Sequence, residues 1–407
     1  MTATRTLIHA DHLLDVVSGT WSDDARLLVE DGRVAAILAP ADPAPEGTLA
    51  LTLPGSWVIP GLIDCHSHQI GDMEYAGVPG TMTSASEEAL IGVRNARATL
   101  AAGFTTVRDV GSFRAFVDIE LARAIDAGWT PGPRMQCSGA YLTCPGGGGD
   151  VTGLARDIGV PGDLRFGVVR TPQDMRERVR TLIGGGAGVI KLIVTGAVLT
   201  RGTKTGFIEL EAPMIEAAVD EAWRQGVYVA AHAHGTEGIK VAIRAGVRSI
   251  EHGSLIDDEG IELMVRHGTY LVADIYDGDW IAEEGLRAGW RAETMAKNDE
   301  TTQAQREGFA KAVNAGVRIA FGTDSGVYPH GLNAIQFAYQ VRYGQTAAEA
   351  VRSATATAAE LMGWDDRVGT LQPGRHADLV AFGADPLADV AVLREPLAVV
   401  KGGVPVA

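Results

Sequence analysis

The sequence predicts an α/β fold, a (β/α)8 TIM barrel with a small β-sandwich domain that is built from both chain termini. Between about residues 60 and 360, apolar strand-like runs alternate with helical stretches, whereas short strands and turns occupy both ends of the chain. Eight strand–helix units in this length fit a barrel better than an open sheet. The predicted domains are 1–58 together with 366–407 for the sandwich, and 59–365 for the barrel.

The predicted sandwich begins with a hairpin. Asp31-Gly32 separates two strand-like runs, and an Asp-Gly pair readily takes the positive φ angles of a tight hairpin turn. The C-terminal runs are expected to pair with the N-terminal ones. The strand-like runs at the two ends of the chain are 7–10, 25–29, 34–38, 378–382 and 397–400.

Six glycines of the central region indicate where a helix ends and the next strand begins. Each follows a helical stretch and directly precedes an apolar run, which is the position of a helix C-terminal cap. These glycines are Gly103, Gly188, Gly226, Gly246, Gly268 and Gly316. Thr171-Pro172 predicts a helix start, and Thr346 with Glu349 has the capping-box spacing. The eight predicted barrel strands are 58–64, 104–107, 134–138, 189–194, 227–231, 247–250, 269–272 and 317–321.

Composition excludes some partners and compartments. The 407 residues include 35 basic and 51 acidic ones, a net charge of −16, which argues against a nucleic-acid partner. Three cysteines are an odd number and imply no disulfide framework, so a cytoplasmic location is expected. Neither a signal peptide nor an uninterrupted apolar run of about 18 residues is visible, so no membrane contact is expected.

Histidines follow several predicted strands. His66 and His68 lie two residues apart after the first strand, so their side chains point the same way and could grip one metal ion. Alone, this pair could equally be two surface or network histidines. In a (β/α)8 barrel, however, active-site residues come from the C-terminal strand ends. The other chemically active residues at or near predicted strand ends are Lys191, His232, His234, His252 and Asp324.

Imidazole and carboxylate groups are preferred by borderline divalent metals. Lys191 lies in an apolar run, where burial would depress its pKa. Its neutral amine could then react with carbon dioxide to give a carbamate that bridges two metals. The alternative is a lysine paired with a carboxylate. The expected ligand sets are His66, His68 and Asp324 for one ion, and His232 and His252 for the other.

These residues carry a family resemblance. Segments 61–68, 190–191, 251–253 and 322–324, together with His232, resemble the amidohydrolase superfamily. The resemblance covers nearly the whole chain, and the tail 369–380 resembles that family's return into its small β-domain. The lysine resembles the binuclear branch. The overall pattern is most similar to the group of Xaa-Pro dipeptidases and L-amino-acid carboxypeptidases, which includes ochratoxin amidases.

The resemblance implies a metal-dependent hydrolase of an amide bond, peptide-like or N-acyl amino acid, that releases a C-terminal amino acid from a small-molecule substrate. It implies two divalent ions, commonly zinc, with carboxylated Lys191 bridging them and a bridging hydroxide as nucleophile. Asp324 would carry the proton to the leaving amine. A homo-oligomer is also implied.

Three alternatives remain open at this point. A cyclic-amide or lactone hydrolase would use the same metals. A non-catalytic scaffold would have lost ligand positions, and all six are present here. A mononuclear deaminase would not need Lys191, although a lysine can be structural.

Other residues are weaker candidates. His234 could donate a hydrogen bond to the developing oxyanion, or could only orient His232 or face solvent. The glycine-rich loop 142–150 departs from the relatives, which tend to carry a histidine there, and this leaves substrate choice open. Candidate substrate-binding residues are Tyr141, Tyr276 and Tyr328, which could instead be loop packing, and Arg201, with Arg114 and Lys204 as other candidate partners of a substrate carboxylate.

Overall fold

A computed structural model describes residues 5–39, 41–71, 83–155 and 157–406, which form a mixed α/β protein. The strands are β1 Arg5–Asp15, β2 Thr20–Glu30, β3 Arg33–Leu38, β4 Leu49–Pro60, β5 Leu62–Ser67, β6 Phe104–Asp109, β7 Arg134–Cys137, β8 Tyr141–Leu142, β9 Val189–Ile193, β10 Tyr228–Ala233, β11 Ser249–His252, β12 Tyr270–Val272, β13 Leu379–Phe382, β14 Ala398–Lys401 and β15 Val404–Pro405. The α-helices are α1 Ala85–Ala101, α2 Val117–Asp126, α3 Pro172–Gly185, α4 Ala212–Trp223, α5 Thr236–Arg244, α6 Asp258–His267, α7 Asp277–Ala288, α8 Ala292–Asn314, α9 Ile335–Arg342, α10 Ala347–Ser353 and α11 Ala356–Met362. Short 3-10 helices span Gly162–Arg165 and Val390–Arg394.

The two ends of the chain share one seven-stranded sheet, in the order β15-β14-β13-β4-β1-β2-β3. Strand β4 joins them, because it runs parallel to β1 and antiparallel to β13. The hairpin between β2 and β3 turns at Asp31 and Gly32, whose φ angles are 48° and 77°. Both values lie in the left-handed region that the Asp-Gly pair predicted.

The predicted first barrel strand, 58–64, is wrong at its start. Val58 belongs to the terminal sheet, where it pairs with Leu13 and Ala381, and β4 ends at Pro60. Strand β5 begins only at Leu62. Gly61 lies between them at a close crossing, since a Cβ atom there would lie 2.0 Å from Thr105 Oγ1. The continuous apolar run 58–64 is therefore divided between two strands, β4 of the terminal sheet and β5 of a parallel sheet.

Parallel strands make up the centre of the chain, in the orders β5-β6-β7 and β12-β11-β10-β9-β8. Segment 317–325, which includes the predicted eighth strand, touches both sheets. Ile319 forms a parallel bridge with Leu271 of β12, and Ser325 forms one with Ser67 of β5. The parallel strands alternate along the chain with helices, so their carboxyl ends meet on one side.

Helix boundaries follow the predicted caps with one correction. Thr171 accepts a hydrogen bond from the Asp174 N–H ahead of α3, and the capping box of α10 is complete. Gly188, however, does not cap α3. The helix ends at Gly185, and Gly186 takes the left-handed conformation with a φ of 117°. The Gly188 N–H instead donates to Cys137 O at 2.8 Å, next to β7.

The largest apolar cluster packs the strands β9 to β12 against their helices, with Leu192, Ile215 and Ile250 fully buried in it. It provides a rigid support for the strand ends. Among the helices of the described ranges, none is long and apolar enough to cross a membrane.

Candidate metal centre

The structure brings all six predicted metal ligands and His234 to one cavity of about 510 Å³. His66 lies in β5 and His68 directly after it, His232 lies in β10, and His252 ends β11. Lys191 is in the middle of β9 and only 1% exposed. The residues that meet here are His66, His68, Lys191, His232, His234, His252 and Asp324.

The first ligand group surrounds Asp324. Its Oδ1 atom lies 3.0 Å from His68 Nε2 and 3.5 Å from His66 Nε2. The Nζ atom of Lys191 lies 3.4 Å from the same His66 Nε2 atom. Carboxylate, two imidazoles and an amine thus converge on a single point.

The second group contains three histidines that each place one ring nitrogen within 4.8 Å of the other two: His232, His234 and His252. The ring centroids of His232 and His252 are 4.5 Å apart. The ring centroid of His234, which was predicted to donate a hydrogen bond or to orient His232, lies 4.7 Å from that of His252. Its Nδ1 atom lies 2.8 Å from Ser254 Oγ, which leaves the Nε2 position for another partner.

Buried partners fix the orientation of the ligand rings. His66 Nδ1 lies 3.0 Å from Glu251 Oε2, and His252 Nδ1 lies 2.8 Å from Asp274 Oδ2. Arg108 in turn holds Glu251, with Nη2 2.8 Å from Oε1. A carboxylate on the far nitrogen sets the tautomer and raises the basicity of a ligating imidazole. None of these three partners had a role predicted from the sequence.

The backbone of His252 explains why Glu251 was missed. In a regular strand, Glu251 and His252 would face opposite sides. His252 instead has a φ of 67°, which breaks the alternation and allows both side chains to serve the site. Asp324 has a φ of 57°. Left-handed conformations cost about 1–3 kcal/mol at such residues, and this strain is typical of functional sites.

Burial favours the neutral form of three of these histidines, which is the form of imidazole that can bind a metal ion. It lowers the pKa of His66, His232 and His234 well below the usual value, and neighbouring positive charges, Lys191 beside His66 and His252 beside the other two, act in the same direction. These rings are therefore neutral. Burial also lowers the pKa of Lys191 to about 8.

Asp324 behaves in the opposite way to a simple buried acid. Burial alone would raise its pKa, but the neighbouring His66 and His68 rings and the hydrogen bond from His68 outweigh it and lower the pKa below the usual range. The carboxylate is thus ionised, and the same hydrogen bond raises the pKa of His68 despite its burial. Imidazoles around an ionised carboxylate are a donor set that fits borderline divalent metals such as zinc.

Two of the predicted substrate-binding residues line the cavity and two do not. Tyr141 lines it, with Oη 3.2 Å from His68 Nδ1, and so does Arg201. Tyr276 and Tyr328 are absent from the described lining of the cavity, and their role in substrate binding stays a prediction. Their rings pack on each other at 5.1 Å, and Tyr328 is 1% exposed.

The other two candidate cations are engaged elsewhere. Arg114 reaches the cavity but is paired with Glu88, at 2.9 Å, and with Asp163. Lys204 lies over the ring of Phe207 at 5.0 Å. Arg291, which the sequence analysis did not single out, also lines the cavity. Its position after α7 gave no sequence signal, because it lies far along the chain from every strand end.

Comparisons with known proteins identify the family of this chain. The family model for the amidohydrolase family matches residues 57–406. The chain therefore belongs to the amidohydrolase family, and it is a hydrolase that acts on amide C–N bonds. The resemblance predicted from its motifs is confirmed.

Within that family, the chain falls in the dipeptidase and ochratoxinase-like group. It is 34% identical over 426 residues to the ochratoxinase of Aspergillus niger, with 98% of this chain and 86% of the relative covered. A solved Xaa-Pro dipeptidase with methionine bound in its active site is 34% identical, with a TM-score of 0.91, and the match covers 99% of this chain and 100% of that one. The crystal structure of the A. niger ochratoxinase gives a TM-score of 0.86 at 30% identity, over 99% and 95% of the two chains.

Proposed function

We propose that this protein is a binuclear metal-dependent amidohydrolase that cleaves a peptide-like or N-acyl amino acid bond and releases a C-terminal amino acid. The observation that carries the proposal is the convergence of four histidines, Lys191 and Asp324 on one buried point. The relatives support the substrate class, since one is an ochratoxinase and another is a Xaa-Pro dipeptidase with a bound amino acid.

In this proposal the ions are zinc. Lys191, as a carbamate, would help to hold both ions, and its burial, its lowered pKa and its position 3.4 Å from His66 support this role. An ordinary lysine would be fully protonated near neutral pH and unreactive toward carbon dioxide. The ligands would be His66, His68 and Asp324 for one ion, and His232 and His252 for the other.

When bound, the two ions would lower the pKa of a water molecule toward neutrality and polarise the scissile carbonyl. Asp324, held as a carboxylate, accepts the proton of the attacking water and delivers it to the leaving amine. That transfer matters because an amine leaves poorly as an anion. His234 donates a hydrogen bond to the carbonyl oxygen as charge develops on it. Tyr141 orients the substrate from the side of His68, and Arg201 pairs with its carboxylate.

The wider architecture belongs to the same proposal. The two parallel sheets and segment 317–325 would close as a (β/α)8 barrel over about 59–365, and two bridges support this closure, Leu271 to Ile319 and Ser67 to Ser325. The terminal residues, 1–58 and 366–407, would form the small β-sandwich domain around their shared sheet. We also propose a homo-oligomer located in the cytoplasm.

A substrate panel tests the proposed reaction. The zinc-loaded enzyme is incubated with dipeptides, N-acyl amino acids, cyclic amides and lactones, and released amino acid or opened ring is quantified. We expect release of the C-terminal amino acid from the linear amides. Turnover of lactones or cyclic amides alone would overturn the proposal in favour of a ring-opening hydrolase with the same site.

A further inference from the structure

His68 differs from two of the other ligand rings in the partner of its far nitrogen. The rings of His66 and His252 each place Nδ1 beside a buried carboxylate. Nδ1 of His68 lies instead 2.7 Å from the carbonyl oxygen of Gly111. A carbonyl oxygen can only accept a hydrogen bond, so this contact requires a proton on Nδ1 and leaves the Nε2 position for a metal ion.

The carboxylate of Asp109 holds both halves of that hydrogen bond. Its Oδ1 atom accepts the Gly111 N–H at 2.9 Å, and its Oδ2 atom accepts the N–H of Gln69, the residue after His68, at 2.8 Å. Asp109 ends β6 and is fully buried. It is outside the described lining of the cavity, so it acts on the site only through the residues that it holds.

Gly111 gives its carbonyl an orientation that another residue would resist. Its φ of 111° lies where a side chain is strained. A Cβ atom at this position would lie 2.7 Å from Ser138 Oγ and 3.1 Å from Tyr141 Cδ1. A carboxylate that fixes the Gly111 N–H and a backbone that only glycine adopts easily thus place the acceptor beside the His68 ring.

A second buried carboxylate offers an internal comparison. Asp118 is also fully buried, and its Oδ2 atom accepts the N–H of another glycine with positive φ, Gly139, at 2.8 Å. The Gly139 carbonyl accepts the backbone N–H of Phe116 at 2.7 Å. The general cost of losing a buried acceptor therefore applies to both aspartates, whereas an effect on the His68 ring belongs to Asp109.

We propose that Asp109 is a positioning residue for His68: through the N–H groups of Gln69 and Gly111, it fixes the ring with a proton on Nδ1 and with Nε2 available to the ion of the first ligand group. The inference rests on the proposed function, because it takes His68 as a ligand. The second ligand group lies on and after β10 and on β11, outside these hydrogen bonds. Asp109 should therefore affect one of the two ions.

Proton–nitrogen NMR of the zinc-loaded protein with labelled histidines tests the hydrogen bond. The wild type should show an Nδ1–H resonance of His68 that exchanges slowly with water, assigned by its absence in His68→Gln. Asp109→Asn keeps the shape but replaces one acceptor oxygen with an amide NH2 group, so exchange should become faster by about tenfold or more. Asp118→Asn is the matched control and should leave exchange slow.

The wild-type spectrum decides even if Asp109→Asn does not fold. A His68 ring without a proton on Nδ1 would overturn the inference, because the carbonyl of Gly111 could not then accept from it. Equally slow exchange in folded Asp109→Asn and Asp118→Asn would also overturn it.

Zinc competition with a chromophoric chelator measures the consequence for the metal site. We expect Asp109→Asn to weaken the binding of one of the two ions by about tenfold and to leave the other unchanged. Asp118→Asn should keep both affinities. Gly111→Ala should reproduce the loss, because the added Cβ atom forces the acceptor carbonyl to move, and Gly139→Ala is its control at another positive φ.

The two measurements separate this inference from the proposed function. A wild-type protein that binds a single zinc ion would count against the binuclear proposal, while a slow Nδ1–H that Asp109→Asn loses would still support the role of Asp109. Two tightly bound ions with equal affinities in Asp109→Asn and Asp118→Asn would overturn the role of Asp109 and leave the binuclear centre intact.

Discussion

Nδ1 of His66 lies 3.0 Å from Oε2 of Glu251, although the two residues belong to different parallel sheets. Both side chains are almost fully buried, at 1% and 0% exposure. Arg108 compensates the carboxylate charge with a hydrogen bond to each of its oxygens. The carboxylate of Glu251 thus lies beside Nδ1 of His66, and the Nε2 atom of the same ring lies toward Asp324 and Lys191.

Glu251→Gln tests whether this pair supports metal binding. The amide keeps the shape but loses the charge, so His66 becomes a weaker base and a less well-oriented ligand. Zinc affinity should fall by about 10–100-fold, measured by competition with a chromophoric chelator. Glu259→Gln is the control, because Glu259 forms ion pairs on the exposed face of α6. Equal affinity in the two variants would contradict the role of Glu251.

Asp324→Asn tests the proton transfer. Asparagine can still offer an oxygen to a metal but cannot accept a proton, so kcat should fall by about 10²–10⁴-fold while zinc remains bound. Turnover of an N-acyl amino acid and metal analysis on the same sample check both parts. Full activity in this variant would remove Asp324 as the proton carrier.

Lys191 predicts a pH-dependent reactivation. Its folded pKa is lowered from 10.5 to about 8, so the neutral amine becomes the major form above about pH 8 instead of above 10.5. At a fixed dissolved concentration of carbon dioxide, metal-depleted enzyme given zinc should recover activity faster as the pH rises through 8. Lys191→Gln should not recover, whereas Lys311→Gln, a change on the exposed end of α8, should behave as wild type. Recovery that is independent of carbon dioxide would count against the carbamate.

The close crossing at Gly61 predicts a specific double-mutant result. Gly61→Ala places a Cβ atom against Thr105 and should lower the free energy of unfolding by about 1–3 kcal/mol. Thr105→Ala removes the Oγ1 and Cγ2 atoms that would be struck, so the double variant should recover part of that loss. Urea unfolding of the four proteins measures the coupling. Strict additivity would show that the crossing is not tight.

Periodicity explains what the sequence could predict. Alternation along a strand placed His66 with His68, and His232 with His234, and the order of the strands placed Lys191, His252 and Asp324 beside them. Local hydrogen-bond chemistry located the caps at Thr171 and Thr346, which the structure contains. Strand alternation and helix caps depend on residues that are close together in the chain, so the sequence can predict them.

The features that could not be predicted depend on distant contacts or local breaks of regularity. Glu251 and His252 both serve the site because His252, with a φ of 67°, leaves the regular strand conformation, and alternation along a strand does not predict this. Tyr276 and Tyr328 follow strands as expected, but the contact between their rings, at 5.1 Å, could not be read from the sequence. Val58 pairs within the terminal sheet, and its strand ends two residues later at Pro60. An apolar run alone does not show which of two sheets each half of the run will join.

A zinc titration of the metal-free enzyme tests the central claim most directly. Activity on an N-acyl amino acid and bound zinc are measured at each addition, with carbon dioxide present throughout. We predict that turnover rises to its maximum only as the second equivalent per chain binds, and that Lys191→Gln never reaches it. Full turnover at one equivalent per chain would contradict a binuclear centre.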